Sequence, residues 1–127
     1  MINLGGMMAR ILSVDDSKSI RMMVSAVLSA AGHEVLSAED GCQAMEMARE
    51  TKVDLVLTDI NMPNMNGISL VSKLRRLEGY EYIPMIMLTT ESNTYKKQKA
   101  KTMGATGWLQ KPFTAERLVS AVQKIVD

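Results

Sequence analysis

The feature that most constrains this chain is an alternation kept from one end to the other: a short apolar run, a polar break, then apolar residues at helical spacing. Ile11, Leu12 and Val14 make the first run, which ends at Asp15 and Asp16. Ile20, Met23, Val24, Val27, Leu28 and Ala31 then recur on one helical face until Gly32 stops it. Glu34 to Ala38 is the second strand, and Asp40 is placed to cap a helix through Ala44, Met45 and Ala48. Val53 to Thr58 is the third strand, and after the loop that follows it Leu70, Val71, Leu74 and Leu77 mark a third helix. Pro84 opens the fourth run, MIMLTT, since proline is tolerated at the first position of a strand; a lysine-rich segment then runs to Gly104. Thr106 to Gln110 is the fifth strand, and Thr114 caps a last helix carrying Leu118, Val119, Val122, Ile125 and Val126 on one face.

Strands that read as continuous apolar runs and alternate with helices call for a parallel sheet covered on both faces. The right-handed crossover rule leaves few topologies. The expected fold is α/β: a doubly wound, flavodoxin-like (βα)5 three-layer fold whose five-stranded parallel sheet has the order 2-1-3-4-5. A length of 127 residues suits one domain, expected over 9–127 after a short leader, 1–8, in which Met8 would serve equally well as a start.

Charge and cysteine content exclude several classes of function. Fifteen basic residues against fourteen acidic ones give no cationic field for nucleic acid. Cys42 is the only cysteine and cannot close an internal disulfide, which points to a reducing compartment. No stretch has the pattern of a signal sequence or approaches the roughly 20 apolar residues of a membrane span. The expectation is a cytoplasmic protein that meets neither nucleic acid nor membrane. Twelve methionines beside five aromatic residues indicate a core filled by flexible side chains.

The topology also places the polar residues. Asp15 and Asp16 end the first strand, Asp59 the third, Thr89 and Thr90 the fourth, and Lys111 the fifth, all at the carboxyl edge where open α/β sheets bind ligands. The first and third strands flank the switch point, so three carboxylates converge there. Crowded carboxylates repel unless a cation settles among them. Oxygen donors without a histidine or thiolate favour Mg²⁺ over zinc or copper, and Mg²⁺ commonly combines one or two carboxylates with water and phosphate oxygens. A carboxylate can be a nucleophile toward phosphorus once its charge is screened. Lys111 would pair with one phosphoryl oxygen, and the Thr89 hydroxyl would donate to another.

Each residue alone has a plainer reading. Asp15 or Asp16 could cap a helix or face its dipole, Asp59 could begin an Asx turn, Lys111 could be a solvated charge and Thr89 a strand residue. What favours a site is joint placement, with four strand ends delivering three acids, a hydroxyl and an amine to one edge.

Val14 to Ser17, the segment LTDINMPNMNG from Leu57 to Gly67, Leu88 to Thr90, and Lys111 to Phe113 together resemble the receiver domain of bacterial two-component response regulators. The resemblance covers Ala9 to Asp127, and the DINMPNMNG loop is similar to that of stand-alone chemotaxis regulators of the CheY type. It implies that Asp59 is the phosphoacceptor and that Asp16 and Asp59 bind Mg²⁺ together with the main-chain carbonyl of Asn61, Asp15 holding the metal through water. It further implies that Thr89 and Lys111 contact the phosphoryl group, that the Lys111–Pro112 bond is cis, and that Asn61 and Glu91 tune the lifetime of the acyl phosphate. The implied partners are a sensor histidine kinase of the CheA kind, a protein effector such as the flagellar motor switch, and a phosphatase, the chain itself being monomeric.

Three features depart from the family pattern. Trp108 stands where the family's switch aromatic is usually Tyr or Phe, and Thr90 stands where a small residue is common. The fourth helix, TYKKQKAKTM, offers few apolar anchors to an effector bound by the fourth helix, fifth strand and fifth helix. The chain ends soon after the fifth helix, so the expected output is a protein contact. A phosphate sink or relay shuttle without a motor effector is the alternative. An aspartyl-phosphate phosphatase would usually carry a second aspartate at position 61, which is Asn61, and a cofactor carrier would need a glycine-rich phosphate cradle where this chain has DDSKS. The expectation is therefore a signalling switch that assists its own phosphorylation and dephosphorylation, not an enzyme.

Overall fold

Successive residues of the central strands, buried almost throughout, face opposite sides of a sheet and so sort the core into two layers. The computed structural model describes residues 8–90 and 94–126, so residues 1–7 of the expected leader and Glu91 lie outside the described residues. The strands are β1 (Arg10–Val14), β2 (Glu34–Ala38), β3 (Leu55–Asp59), β4 (Met85–Thr89) and β5 (Gly107–Gln110). They alternate with α1 (Lys18–Ala30), α2 (Gly41–Glu50), α3 (Gly67–Leu74), α4 (Thr94–Thr102) and α5 (Ala115–Val126). All pairings are parallel and the order is β2-β1-β3-β4-β5, as expected. Leu12, Val14, Val56, Met85 and Met87 pack with α2 and α3, whereas Ile11, Leu55, Leu57, Ile86 and Leu88 pack with α1 and α5. Met45, Met62, Met85 and Met87 are buried, whereas Met8, Met22 and Met103 are exposed, so methionine fills the core only in part.

Local signals act as the sequence implies. Asp40 caps α2 by accepting from Gln43 N at 2.8 Å, and Thr114 accepts from Arg117 N at 3.1 Å. Gly32 ends α1 with φ +96°, a conformation that glycine adopts without steric cost. Among the described residues no helix is long and apolar enough to cross a membrane.

The differences from expectation have long-range causes. Val53 is buried, but its N–H donates to the Tyr80 hydroxyl at 3.2 Å, and the strand starts only at Leu55. Leu77 lies past the end of α3, in a tight turn where its N–H donates to Leu74 O, and still packs against the core. Thr106 falls just before β5, yet it exchanges hydrogen bonds with Met85 through its N–H and its hydroxyl oxygen.

Tyr80 and Arg75 hold the lower loops. Tyr80 is 2% exposed; its hydroxyl can give its proton to Ala48 O at 2.8 Å or Thr51 O at 3.1 Å, and burial pushes the phenol above its ordinary value. Arg75 spreads its guanidinium over the carbonyls of Gly104, Tyr80, Glu81 and Ile83. Burial lowers its pKa from the usual arginine value. Tyr80→Phe leaves the Val53 N–H without an acceptor in a dry site and is expected to cost about 1–2 kcal/mol, read by urea denaturation.

Candidate functional site

The carboxyl ends of β1, β3 and β5 bring together the acids and the amine that the sequence places there. Asp15, at the end of β1, is 1% exposed. Its Oδ1 accepts from Ser17 N at 2.9 Å and its Oδ2 from Lys111 Nζ at 2.8 Å. Its main chain is fixed as well, the N–H donating to Ala38 O at 3.1 Å and the carbonyl accepting from Arg21 Nη1 at 2.7 Å. Capping of α1 falls to Ser17, whose hydroxyl accepts from Ile20 N at 3.3 Å, so neither aspartate is spent on that task. Asp16, one residue on, is exposed.

Asp59 ends β3 and is largely buried. Its Oδ1 accepts from Ile60 N at 2.8 Å, and its Oδ2 lies 3.6 Å from Lys111 Nζ. Burial pushes its carboxyl above the ordinary carboxylate value. The Lys111 charge opposes that shift, the Asp15 charge adds to it, and the N–H groups of Ile60 and Asn61 offset part of it. Asp15, Asp16 and Asp59 each place a carboxylate oxygen within 4.8 Å of the others. Oxygen donors at this spacing, with no histidine or cysteine in the group, fit a hard divalent cation bound partly through water.

The loop after Asp59 is built from residues suited to each turn. Asn64 takes φ +71°, in the left-handed region that asparagine tolerates, and Asn66 caps α3 by accepting from Ser69 N at 2.8 Å. A Cβ on Gly67 would collide with the main-chain oxygen of Asp59 and come within 2.9 Å of Met87 Cε. Gly67 therefore lets the start of α3 press against the strand end that carries Asp59.

The remaining predicted residues lie on β4, on β5 and in the segments that follow β3, β4 and β5. Thr89 is buried at the end of β4, in register with Gln110, and its carbonyl accepts from Lys111 N at 2.8 Å. The Lys111–Pro112 peptide bond is cis. Asn61 is exposed in the loop directly after Asp59 and Ile60, and Thr90 is exposed beyond β4. Trp108, on β5, is 40% exposed, and Lys97 Nζ lies 5.1 Å from its ring centroid, a contact worth about 0.5–1 kcal/mol at an exposed site. An apolar groove lies away from these acids, between α1 and α5, lined by Ala26, Ala30 and Val119. Ser17, Asn66 and the close approach at Gly67 escaped the sequence reading. The Asn-x-x-Ser spacing before α3 could have disclosed the Asn66 cap.

The family model described as response regulator receiver domain matches residues 11–123. Protein PilH of Pseudomonas aeruginosa is 38% identical over 119 residues, spanning 94% of this chain and 98% of that protein. A chemotaxis protein CheY homolog of Campylobacter jejuni is 36% identical over 119 residues and spans 92% of each chain. Among solved structures, Vibrio cholerae chemotaxis protein CheY4 aligns with a TM-score of 0.91 at 46% identity, covering 94% of this chain and 99% of that one.

Two stability measurements follow from the geometry. Lys111→Met leaves the Asp15 carboxylate buried without its counter-charge and is expected to cost about 3 kcal/mol in urea denaturation. Asp59→Asn acts in the opposite sense. Because the folded chain holds the Asp59 proton more tightly than the unfolded chain does, stability is lost as pH rises from the ordinary aspartate value through the folded pKa. The metal-free Asn variant should therefore melt a few degrees above the wild type at pH 7, and the gap should close as pH falls toward 3.8.

Proposed function

Because the chain belongs to the response regulator receiver domain family, we propose that Asp59 accepts a phosphoryl group from a histidine kinase and that the protein acts as a phosphorylation-switched module of a chemotaxis-type two-component system. The observation that carries this reading is the Asp59 carboxylate held beside a buried Asp15–Lys111 pair at one sheet edge. In the reaction an Asp59 oxygen attacks phosphorus as the bond from phosphorus to the histidine nitrogen breaks. The nitrogen leaves with the bonding pair, and the product is an acyl phosphate. Acetyl phosphate would serve in the same way, with acetate leaving.

The chain's own residues position the reactants and balance charge, which is most of what phosphoryl transfer needs. Lys111, 3.6 Å from Asp59 Oδ2, is within reach of a phosphoryl oxygen on that carboxylate. The Thr89 hydroxyl donates to a second oxygen. Asp15, Asp16, Asp59 and the Asn61 carbonyl would hold Mg²⁺, which when bound offsets the charge of the carboxylates and the phosphoryl oxygens. Asn61 and Glu91 set how fast water reaches the acyl phosphate. The kinase is of the CheA kind, and the output is altered affinity of a monomer for an effector such as the motor switch, through the face formed by α4, β5 and α5. A phosphatase would shorten the signal.

With Mg²⁺ and acetyl phosphate, intact-mass spectrometry should show one added phosphoryl group on the wild type and none on Asp59→Asn or in excess EDTA. Equal labelling of both proteins refutes the assignment. Mg²⁺ alone should stabilise the wild type by about 2.7 kcal/mol at a hundredfold excess over Kd, read as a higher melting temperature, and should have little effect on Asp16→Ala.

A further inference from the structure

The loop that carries Asn61 is tied down at three points. At its start the N–H groups of Ile60 and Asn61 serve the Asp59 carboxylate, and at its end Gly67 N donates to Ile60 O at 2.8 Å. Between these points the chain doubles back, Met65 N donating to Pro63 O at 2.8 Å across Asn64 at φ +71°. Asn61, Pro63 and Asn64 are exposed there, whereas Met65 is half-buried and packs against the core.

The third point is the first residue of α2. A Cβ on Gly41 would fall 2.7 Å from Met65 Sδ, 2.9 Å from its Cβ and 3.0 Å from its Cγ, so Met65 lies on the bare backbone of Gly41. Gly41 does not take a positive φ, and alanine is the better helix former, so what calls for glycine here is room for Met65. The contact reaches the root of the Met65 side chain as well as its flexible tip, so a methyl group at position 41 would push on the main chain of the loop. α2 is the firmer body of the two. Asp40 accepts from Gln43 N, Gln43 Oε1 accepts from Glu39 N at 2.7 Å, and Ala44, Met45 and Ala48 are buried. The helix also begins at the carboxyl edge, following β2, the neighbour of the strand that leads to Asp15.

We propose that Met65, seated on Gly41, is a positioning residue for the cation site, holding the loop so that the Asn61 carbonyl can join the carboxylates of Asp15, Asp16 and Asp59 around the ion. The inference rests on the reading that these groups hold Mg²⁺. Met65 touches neither the ion nor the acids and acts only through the loop.

Calorimetric titration with Mg²⁺ alone, at a temperature where every variant is folded, reads the affinity, and amide exchange of residues 60–67 without metal reads the loop. Gly41→Ala and Met65→Ala should each weaken Mg²⁺ binding by about tenfold, the scale on which groups that orient metal ligands act, and each should speed exchange of the Gly67 N–H. Met65→Leu should stay close to the wild type. Because both single changes break one contact, Gly41→Ala combined with Met65→Ala should bind no more weakly than the weaker single variant. The proposal is overturned if either alanine variant binds Mg²⁺ as the wild type does, if loop exchange is unchanged in either, if the two losses add, or if Met65→Leu is as weak as Met65→Ala. A wild type that binds no Mg²⁺ overturns the cation reading and this inference together, whereas a wild type that binds beside unaffected variants overturns this inference alone.

Discussion

The structure turns on one ion pair, Lys111 Nζ to Asp15 Oδ2 at 2.8 Å, with side chains 14% and 2% exposed. A pair this dry contributes little net stability, because desolvation offsets most of the attraction, yet losing one partner is costly. Its consequence is positional. In the order β2-β1-β3-β4-β5, Lys111 follows β5, two strands from the β3 that ends in Asp59 and three from the β1 that leads to Asp15. A long flexible stem ending in a compact charge spans that gap. The lysine thus sets two carboxylates side by side that would otherwise repel, and Asp59 is left buried and reluctant to ionise.

The segments around the acids serve that arrangement. Ser17 takes the cap of α1, which leaves both Asp15 oxygens to the Ser17 N–H and Lys111. Gly67 brings α3 against the main chain of Asp59 without a side chain in between, and Asn64 and Asn66 turn the chain into that approach. Farther down, Arg75 and Tyr80 tie loop carbonyls together, so the strand ends at the site rest on a base held by hydrogen bonds as well as by apolar packing.

Strand order, helix faces and the acidic edge were legible in the sequence because periodicity and capping are local signals. The caps at Asp40 and Thr114 and the stop at Gly32 follow from residue type and position alone. What escaped depends on partners distant in the chain. Val53 reads as a strand residue until Tyr80, 27 positions away, takes its N–H. The anchoring of Arg75 depends on a carbonyl of Gly104, 29 positions away. The different settings of Asp15 and Asp16 arise where β1 ends, as one carboxylate turns into the fold and the next to solvent. The cation over Trp108 likewise needs α4 beside β5, which no spacing encodes.

The central claim is that Asp59 sits in a site whose acids are held together by Lys111. A carboxyl-detected NMR titration of the metal-free protein tests it most directly. The account predicts that Asp59 titrates above the ordinary aspartate value, higher still in Lys111→Met, and lower when Mg²⁺ is added. An Asp59 that titrates at or below the ordinary value in the metal-free wild type, or that ignores both the lysine and the metal, would contradict it.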